Sequence, residues 1–438
     1  MITFLQISDI HFTDASGNDD EYAQMKRKFL EDIAECRNRK GTIDYILICG
    51  DVAFSGMESQ YRKAKEFITQ ICKNTKCSEN NIFVVPGNHD KEWDVYKGTR
   101  QMMRDMLLKG KNTKQLLESK VKEPMAIGIL YTPFKQYYKL AYEYSCISEV
   151  ALKATSLPKA DQEMEMMPKF KPNDAFFWSE VLGDLYGYPV QIHGGNTSLL
   201  SDKDDGESKN LKEGKHLQIL PLQTYNVTAG SDEIHILMLH HPMSEIIDGK
   251  KIGEDIDGRF KLQFYGHVHK QSSSSDGAIK IYSGALQPEE DNNDEYFPVY
   301  NVIEMDVVEE GGKPYLKVDV FSRKWNGTNF VEYQEETKTG AQVLKVELQQ
   351  NDSWKKTMER QKENHHDSDE AAMAAMNPHA MKNAFLHSGR EGKIINEMYG
   401  DLFDGISRNR IKYVEFLKKV ETDGRMDELN SILKRYGR

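Results

Sequence analysis

The stretch NIFVVPGNHD (residues 81–90) joins a short apolar run to a cluster of polar side chains. The run IFVV consists of β-branched and aromatic residues, which is typical of a buried strand. A Pro-Gly pair ends the run, and Asn88, His89 and Asp90 follow directly. Amide, imidazole and carboxylate groups are common ligands of divalent metal ions. The stretch therefore predicts a strand whose carboxyl end carries candidate metal ligands.

Two earlier strand signals also consist of an apolar run followed by candidate metal ligands. ITFLQIS (2–8) is followed by Asp9 and His11, and DYILICGD (44–51) ends at Asp51. Between the strand signals, apolar residues recur every three or four positions, which indicates amphipathic helices. This alternation predicts right-handed crossovers and a largely parallel sheet. Because such sheets bind ligands beyond the carboxyl ends of their strands, we expect the polar residues of the three strands to meet.

Two later strand signals end in paired histidines. The pairs are His240–His241, directly after ILML, and His267–His269, within FYGHVHK. Residues two apart on an extended segment point the same way, so an H-x-H pair can aim two imidazoles at one ion. Such a pair alone is a weak signal, since unrelated surface or core histidines also produce it. The H-x-H pair becomes a stronger indication of a metal site because the ends of the three earlier strands offer oxygen ligands.

The bulk composition bounds the class of protein. The chain has 438 residues, a formal net charge of −11 and five cysteines. The length exceeds what one core usually supports, so we expect insertions or further domains. The negative charge argues against bulk electrostatic adhesion to nucleic acid or anionic membranes. No apolar run is long enough to span a bilayer and no signal-peptide pattern is visible, so we expect a cytoplasmic protein with reduced cysteines and no membrane partner.

Taken in order, these motifs resemble those of the calcineurin-like metallophosphoesterase superfamily, over roughly residues 1–335. The resemblance implies an α/β fold in which two packed mixed sheets are flanked by helices, an α/β/β/α sandwich. It also implies two metal positions that share Asp51. One position would be held by Asp9, His11 and His269, and the other by Asn88, His240 and His267, with His241 as the alternative to His240.

The cofactors implied are two divalent ions. The candidate donors are more than one ion can use, and a set of nitrogen and oxygen donors without thiolate suits Mn²⁺, Fe or Zn²⁺. We expect Mn²⁺ first, with Fe, Zn²⁺ and Mg²⁺ as alternatives. Two such ions turn a bridging water into hydroxide near neutral pH, which would attack the phosphorus of a phosphate ester. The resemblance gives His89 the catalytic role of binding the phosphate or protonating the leaving oxygen, with Asp90 orienting it.

The substrate is less well defined by the sequence. Segment 97–122 holds eight Lys or Arg residues against two acidic ones. A basic wall that guides an anionic polymer and an ordinary solvated helix face both produce such a run. We expect a phosphodiesterase acting on a nucleotide or nucleic acid, with Asn88, His89, Arg100 and His241 in contact with the substrate. A phosphomonoesterase acting on phosphoprotein and a metal-free interaction scaffold stay open as alternatives.

The domain organisation follows from changes in pattern along the chain. We expect a catalytic domain over residues 1–340, with a helical insertion at 91–189. Residues 341–384 are polar and helix-prone, which predicts a linker or helical segment. Residues 385–438 carry apolar positions at helical spacing, which predicts a small helical module that binds a protein partner or self-associates. The strand signals after the paired histidines are expected to complete a second sheet.

Overall fold

The computed structural model describes residues 1–14, 22–102, 129–147, 152, 177–201, 218–228, 232–247, 249–287, 297–333, 341–364, 391–399, 416–417, 419–420 and 422–436. Among them, no helix has the length and apolar character needed to cross a membrane.

The described elements alternate between strands and helices in the first part of the chain. The strands are β1 (Ile2–Ile7), β2 (Tyr45–Ile48), β3 (Ile82–Val84), β4 (Phe177–Leu185), β5 (Tyr188–Gly195), β6 (Ile234–Met238), β7 (Leu262–Tyr265), β8 (Ser272–Ser274), β9 (Ile279–Tyr282), β10 (Val299–Glu310), β11 (Lys313–Trp325), β12 (Phe330–Glu332) and β13 (Gln342–Glu347). The helices are α1 (Ala23–Lys40), α2 (Glu58–Thr75), α3 (Lys135–Glu143), α4 (Gly249–Arg259), α5 (Asp352–Asn364), α6 (Glu391–Tyr399) and α7 (Met426–Tyr436).

The first sheet has the order β12-β11-β10-β1-β2-β3, and β13 also pairs with β11. Strands β1, β2 and β3 run parallel, and α1 and α2 form the crossovers between them, as predicted. All residues of these three strands are buried, which explains why they read as continuous apolar runs rather than as alternating patterns. Their carboxyl ends therefore lie side by side at one edge.

The second sheet has the order β4-β5-β6-β7-β9-β8. Its central strands β5, β6, β7 and β9 are parallel, and β4 and β8 are antiparallel edges. Both sheets are thus mixed, with the parallel strands at one end of the first sheet and at the centre of the second. The paired histidines follow β6 and β7, so they also lie at carboxyl ends.

The two sheets pack face to face, and helices cover their outer faces. Phe4 of β1 contacts Phe264 of β7, with ring centroids 5.7 Å apart. Phe29 of α1 packs edge-on against Tyr300 of β10, at 4.9 Å. Phe260, just after α4, belongs to an apolar cluster with buried residues of β6 and β7. The predicted α/β/β/α architecture is confirmed.

Three expectations about the chain's organisation need correction. Strands β10 and β11 do not complete the second sheet, because β10 pairs antiparallel with β1 in the first sheet. Strand β4 lies inside segment 91–189, so that segment is not entirely helical. The first sheet continues past residue 340, because β13 pairs with β11 and Trp354 is buried in the main core. The main core therefore extends past residue 340, and the domain bounds themselves stay a prediction.

The C-terminal region contains helices where apolar spacing predicts them. Helices α6 and α7 both supply buried residues to a small apolar cluster that includes Phe416 and Val420. Much of the expected linker, and residues 401–415 within the expected module, lie outside the described residues. The proposed binding role of this module stays a prediction.

A buried histidine pair in the second sheet predicts acid sensitivity. His193 Nε2 lies 2.9 Å from His235 Nδ1, and Ser179 Oγ lies 2.7 Å from His193 Nδ1. Burial, together with His235, lowers the pKa of His193 to about 3. An unfolded histidine titrates near ~6.5, so between these values the unfolded chain binds a proton that the folded chain does not. The stability that depends on neutral His193 is thus complete above about pH 6.5 and falls as the pH drops.

We expect the wild type to lose more free energy of unfolding than His193→Phe when the pH is lowered from about 7 to about 5, by up to about 2 kcal/mol. Urea unfolding of both proteins at the two pH values measures this difference. Equal losses would show that His193 stays protonatable in the folded protein.

Candidate metal centre

Ten of the eleven predicted site residues follow the carboxyl ends of β1, β2, β3, β6 and β7, and all but Asp90 of these ten are candidate ligands or lie beside them: Asp9, His11, Asp51, Asn88, His89, His240, His241, His267 and His269. Five of them, Asp9, His11, Asp51, His267 and His269, have φ angles between 50° and 68°. This left-handed conformation is uncommon for residues other than glycine and costs about 1–3 kcal/mol each when the surroundings enforce it. Strain of this kind concentrates at functional sites, where the direction of a side chain matters more than a low backbone energy.

Close packing of the loops requires glycine beside these residues. Gly50 has a φ of 98°, and a Cβ at this position would collide with the ring of His240. At Gly87, a Cβ would collide with the carboxylate of Asp51. The two glycines therefore let the loops after β2, β3 and β6 approach one another.

The first group of candidate ligands consists of Asp9, His11 and His269. Their donor atoms lie within 4.8 Å of one another, and His269 Nε2 is 3.3 Å from Asp9 Oδ1. His11 is buried, yet among the described residues neither of its ring nitrogens has a hydrogen-bond partner. A buried nitrogen without a partner is costly, which makes His11 a strong candidate for binding an ion.

The second group is organised around Asp51. Its Oδ2 atom lies 3.1 Å from His240 Nε2, and the same nitrogen lies 3.2 Å from Asn88 Oδ1. His240 Nδ1 donates to the Cys49 carbonyl at 2.7 Å, which fixes the ring and directs Nε2 at Asp51. Asp51 also forms donor groups with Asp9 and His240 and with His11 and His89, so it lies between the two sets of ligands.

Three of the four paired histidines converge on the second group. His240, His241 and His267 hold ligand atoms within 4.8 Å of one another. His267 Nε2 lies 3.0 Å from Glu245 Oε2, in the loop after β6. Metal-binding histidines commonly donate their other ring N–H to a carboxylate in this way. Of the two imidazoles considered for the second position, His240 is the one in contact with Asp51 and Asn88.

The charges of these groups suit cation binding. Burial raises the pKa of Asp51, but the positive charges of His240 and His89 outweigh it and hold this pKa well below its usual range. Burial lowers the pKa of His240, but Asp51 outweighs it and raises this pKa to about 10. Burial lowers the pKa of His11 to about 3, so this imidazole stays neutral. An ion that binds Asp51 would displace the proton shared with His240.

His89 borders both groups of ligands. Its Nδ1 atom lies 2.9 Å from the Phe54 carbonyl, and its ring packs against Phe54, Trp93 and His11, with 4.6 Å between the centroids of His89 and His11. The carbonyl accepts a hydrogen bond from Nδ1–H, so Nε2 is the ring nitrogen on the side away from this contact. This placement suits the predicted contact between His89 and the reacting phosphate.

Asp90 has a different role from the one expected. Its carboxylate accepts hydrogen bonds from the backbone N–H groups of Val52, Ala53 and Gly87 and from the Tyr61 hydroxyl. The Phe54 carbonyl, rather than Asp90, bonds to Nδ1 of His89. Asp90 therefore fixes the backbone of the loops after β2 and β3, and it positions Asp51 and His89 through that backbone.

Arg100 makes backbone contacts that the sequence did not predict. It is 4% exposed and donates to the carbonyls of Val95 and Trp93. Its guanidinium group thus holds the loop that carries Trp93, and its contact with substrate stays a prediction. Most of the basic segment 97–122 lies outside the described residues, so the expected basic wall stays a prediction.

Four contributors to the site were not identified from sequence. Glu245 and Thr197 contact His267 and His241, respectively, and the carbonyls of Phe54 and Cys49 contact His89 and His240. Thr197 follows β5 and Glu245 follows β6. Their position just after a strand is therefore the sequence signal that could have identified them. A backbone carbonyl leaves no signal in residue type.

The donor set fits divalent transition metals. It contains imidazoles, carboxylates and one amide, and no cysteine takes part. All five cysteines are free and buried. Such sites suit Mn²⁺, Fe or Zn²⁺. The ring nitrogens of His11, which have no hydrogen-bond partner in the described part of the chain, fit an ion as their partner.

The chain is similar in sequence to a known protein of Bacillus subtilis. A metallophosphoesterase-like protein of Bacillus subtilis, YydB, itself uncharacterised, is 26% identical over 309 residues, which are 68% of this chain and 56% of that protein. The chain thus matches little more than half the length of this relative.

Two solved structures from Thermus thermophilus also resemble the chain. The sulfate thiohydrolase SoxB in complex with glycerol has a TM-score of 0.31 and 9% identity, over 83% of this chain and 61% of that one. A 5'-nucleotidase precursor has a TM-score of 0.30 and 13% identity, over 83% and 59%. With TM-scores this low, neither structure indicates what this chain does. The family model for calcineurin-like phosphoesterases, however, matches residues 2–271, and the chain belongs to that family.

Proposed function

We propose that this protein is a dinuclear metal-dependent phosphoesterase. The observation that carries the proposal is the arrangement of two groups of buried and partly buried ligands on either side of Asp51, at the carboxyl ends of strands in two adjoining sheets. Membership of a phosphoesterase family supports it. A metal-free scaffold would have no need to keep His11 buried with both ring nitrogens unpartnered among the described residues.

In this proposal Asp9, His11 and His269 hold one ion, and Asn88, His240 and His267 hold the other, with Asp51 shared. Mn²⁺ is the proposed metal. When bound, the two ions supply Lewis acids that stabilise phosphoryl oxygens and generate a nucleophile from water. The amide of Asn88 binds without adding negative charge, so the centre keeps its attraction for an anionic substrate.

His89 is the proposed general acid. Its Nδ1 is fixed by the Phe54 carbonyl at 2.9 Å, so Nε2 is the atom that holds and transfers a proton. The ring is 9% exposed and lies against Phe54 and Trp93, which limits access of water to it. A proton delivered from Nε2 to the leaving oxygen would avoid the release of an unprotonated alkoxide.

We propose a phosphodiester of a nucleotide or nucleic acid as the substrate. Supporting this class is the basic segment 97–122, although Arg100 within it is committed to backbone carbonyls. Hydrolysis of a phosphomonoester is the second candidate. The free cysteines agree with a reducing, cytoplasmic location, which is part of the same proposal.

The test is a hydrolysis panel with Mn²⁺, containing linear and cyclic nucleotides, single- and double-stranded nucleic acid, and simple mono- and diesters. Asp51→Asn serves as the control for contaminating enzymes. We expect diesters to be hydrolysed faster than monoesters by the wild type only. Preference for monoesters would replace the diester assignment, and no metal-dependent hydrolysis of any ester would contradict the proposal.

The contact between Glu245 and His267 gives a further prediction. Glu245→Ala removes the acceptor for the Nε2–H of His267, so this ring is no longer held in one orientation. We expect the affinity for Mn²⁺ to fall by about 10–100-fold, as is typical when the partner of a metal-binding histidine is lost. Calorimetric titration measures the affinity. Glu245→Gln keeps an acceptor oxygen and should lose less affinity for Mn²⁺. Wild-type affinity in Glu245→Ala would show that Glu245 does not orient His267 for metal binding.

A further inference from the structure

A third imidazole faces the metal position that the proposed function assigns to His240 and His267. We propose that His241 is an additional ligand at this position, so that Asp51, Asn88, His240, His241 and His267 together form a nitrogen-rich site. This inference rests on the proposed function and extends it. It gives the two positions different chemistry, because only one of them has three histidines.

The first support is the position of the ring. The ligand atoms of His240, His241 and His267 lie within 4.8 Å of one another. Two nitrogens bound to one ion at about 2.1 Å are at most about 4.2 Å apart. The three rings therefore need only small rotations to share an ion. The ring centroids of His241 and His267 are 4.5 Å apart, and those of His240 and His241 are 4.8 Å apart.

The second support is an unused nitrogen. His241 is 0% exposed, and its Nε2 has no hydrogen-bond partner among the described residues. Buried polar atoms are nearly always paired, so this one requires an explanation. A substrate contact is a poorer explanation than an ion, because the ring is enclosed beside two other candidate metal ligands.

The third support is the contact on the other side of the ring. Thr197 Oγ1 lies 2.8 Å from His241 Nδ1 and accepts the backbone N–H of His241 at 3.3 Å. A hydroxyl oxygen has two lone pairs, so it can accept from Nδ1–H as well. That tautomer leaves a lone pair on Nε2, which is the form that binds a metal. Thr197 would thus orient His241 as Cys49 orients His240.

A position with three imidazoles and one carboxylate favours a different ion from the first position, which has two imidazoles and the two carboxylates of Asp9 and Asp51. Imidazole suits Zn²⁺, Fe and Cu, whereas carboxylate and water suit Mg²⁺ and Mn²⁺. We therefore expect Zn²⁺ or Co²⁺ to bind the nitrogen-rich position more tightly than Mn²⁺ does. The protein would then hold two different ions when both kinds are supplied.

The experiment titrates metal-free protein with Co²⁺ and Zn²⁺, by calorimetry and by the visible absorption of bound Co²⁺. The variants are His241→Phe, Thr197→Val and, as a matched buried histidine outside the site, His193→Phe. We expect two sites in the wild type. In His241→Phe, one site should weaken at least about 100-fold and its Co²⁺ spectrum should change, while the other site is kept. Thr197→Val should weaken the same site about 10-fold, and His193→Phe should change neither site.

Two sites with wild-type affinities and spectrum in His241→Phe would overturn the inference. If that variant fails to fold, Thr197→Val decides, because it keeps the imidazole and removes only its orienting hydroxyl. Absence of metal binding by the wild type would instead overturn the proposed function itself, so the two failures are distinguishable.

Discussion

Replacing His89 by glutamine is expected to lower kcat for a diester with an alkoxide leaving group by about 10²–10⁴-fold, while both metal ions still bind. The reason is the position of the ring. The Phe54 carbonyl fixes Nδ1 at 2.9 Å, so Nε2 is the atom that can give a proton to the leaving oxygen. Glutamine removes this proton donor, and no ligand of either proposed ion is changed.

Leaving-group dependence is the measurement that separates acid catalysis from a structural effect. A nitrophenolate leaves without a proton, so His89→Gln should retain much more activity on bis(p-nitrophenyl) phosphate than on an alkyl diester. Trp93→Phe, which alters the neighbouring ring and keeps the imidazole, is the matched control. Equal losses on both diesters would remove His89 from the role of general acid.

Replacing Asp51 by asparagine is expected to weaken both metal positions and to reduce hydrolysis by more than about 100-fold, beyond the effect of losing an orienting partner. Asp51 forms donor groups with Asp9 and His240 and with His11 and His89, so its charge serves both positions. Its substitution should also lower the pKa of His240, because Asp51 is what raises that pKa to about 10 against the effect of burial.

Metal content after dialysis, together with kcat, tests this prediction. Asp44→Asn is the matched control, because Asp44 precedes the other end of β2 and accepts the backbone N–H of Thr3. We expect it to keep two ions per chain. Loss of only one ion in Asp51→Asn would mean that Asp51 belongs to a single position.

The parallel strands β1, β2 and β3 of the first sheet could be predicted because they are buried on both faces and separated by amphipathic helices. The remaining pairings could not. Strand β10 joins β1 across nearly 300 residues of chain, and nothing in the local pattern of β10 distinguishes the first sheet from the second. Strand β13 lies beyond a break in composition, and its membership of the sheet depends on its pairing with β11.

The candidate site also has features that the sequence predicts and features that it does not. Asp9, His11, Asp51 and the paired histidines follow apolar strands, so their convergence could be expected from the topology. The environments of Asp90 and Arg100 could not be, since both bind backbone groups of loops whose paths the sequence pattern does not define. The left-handed backbone at five ligand positions is likewise a property of the folded loops.

Anomalous diffraction from crystals grown with Mn²⁺ would test the central claim most directly. Two peaks are expected about 3.5–4 Å apart, the spacing of two-metal hydrolases. One should lie beside His11 and His269, the other beside Asn88 and His240, with Asp51 between them. Peaks only outside this cluster, or no peak at all at saturating Mn²⁺, would contradict the account.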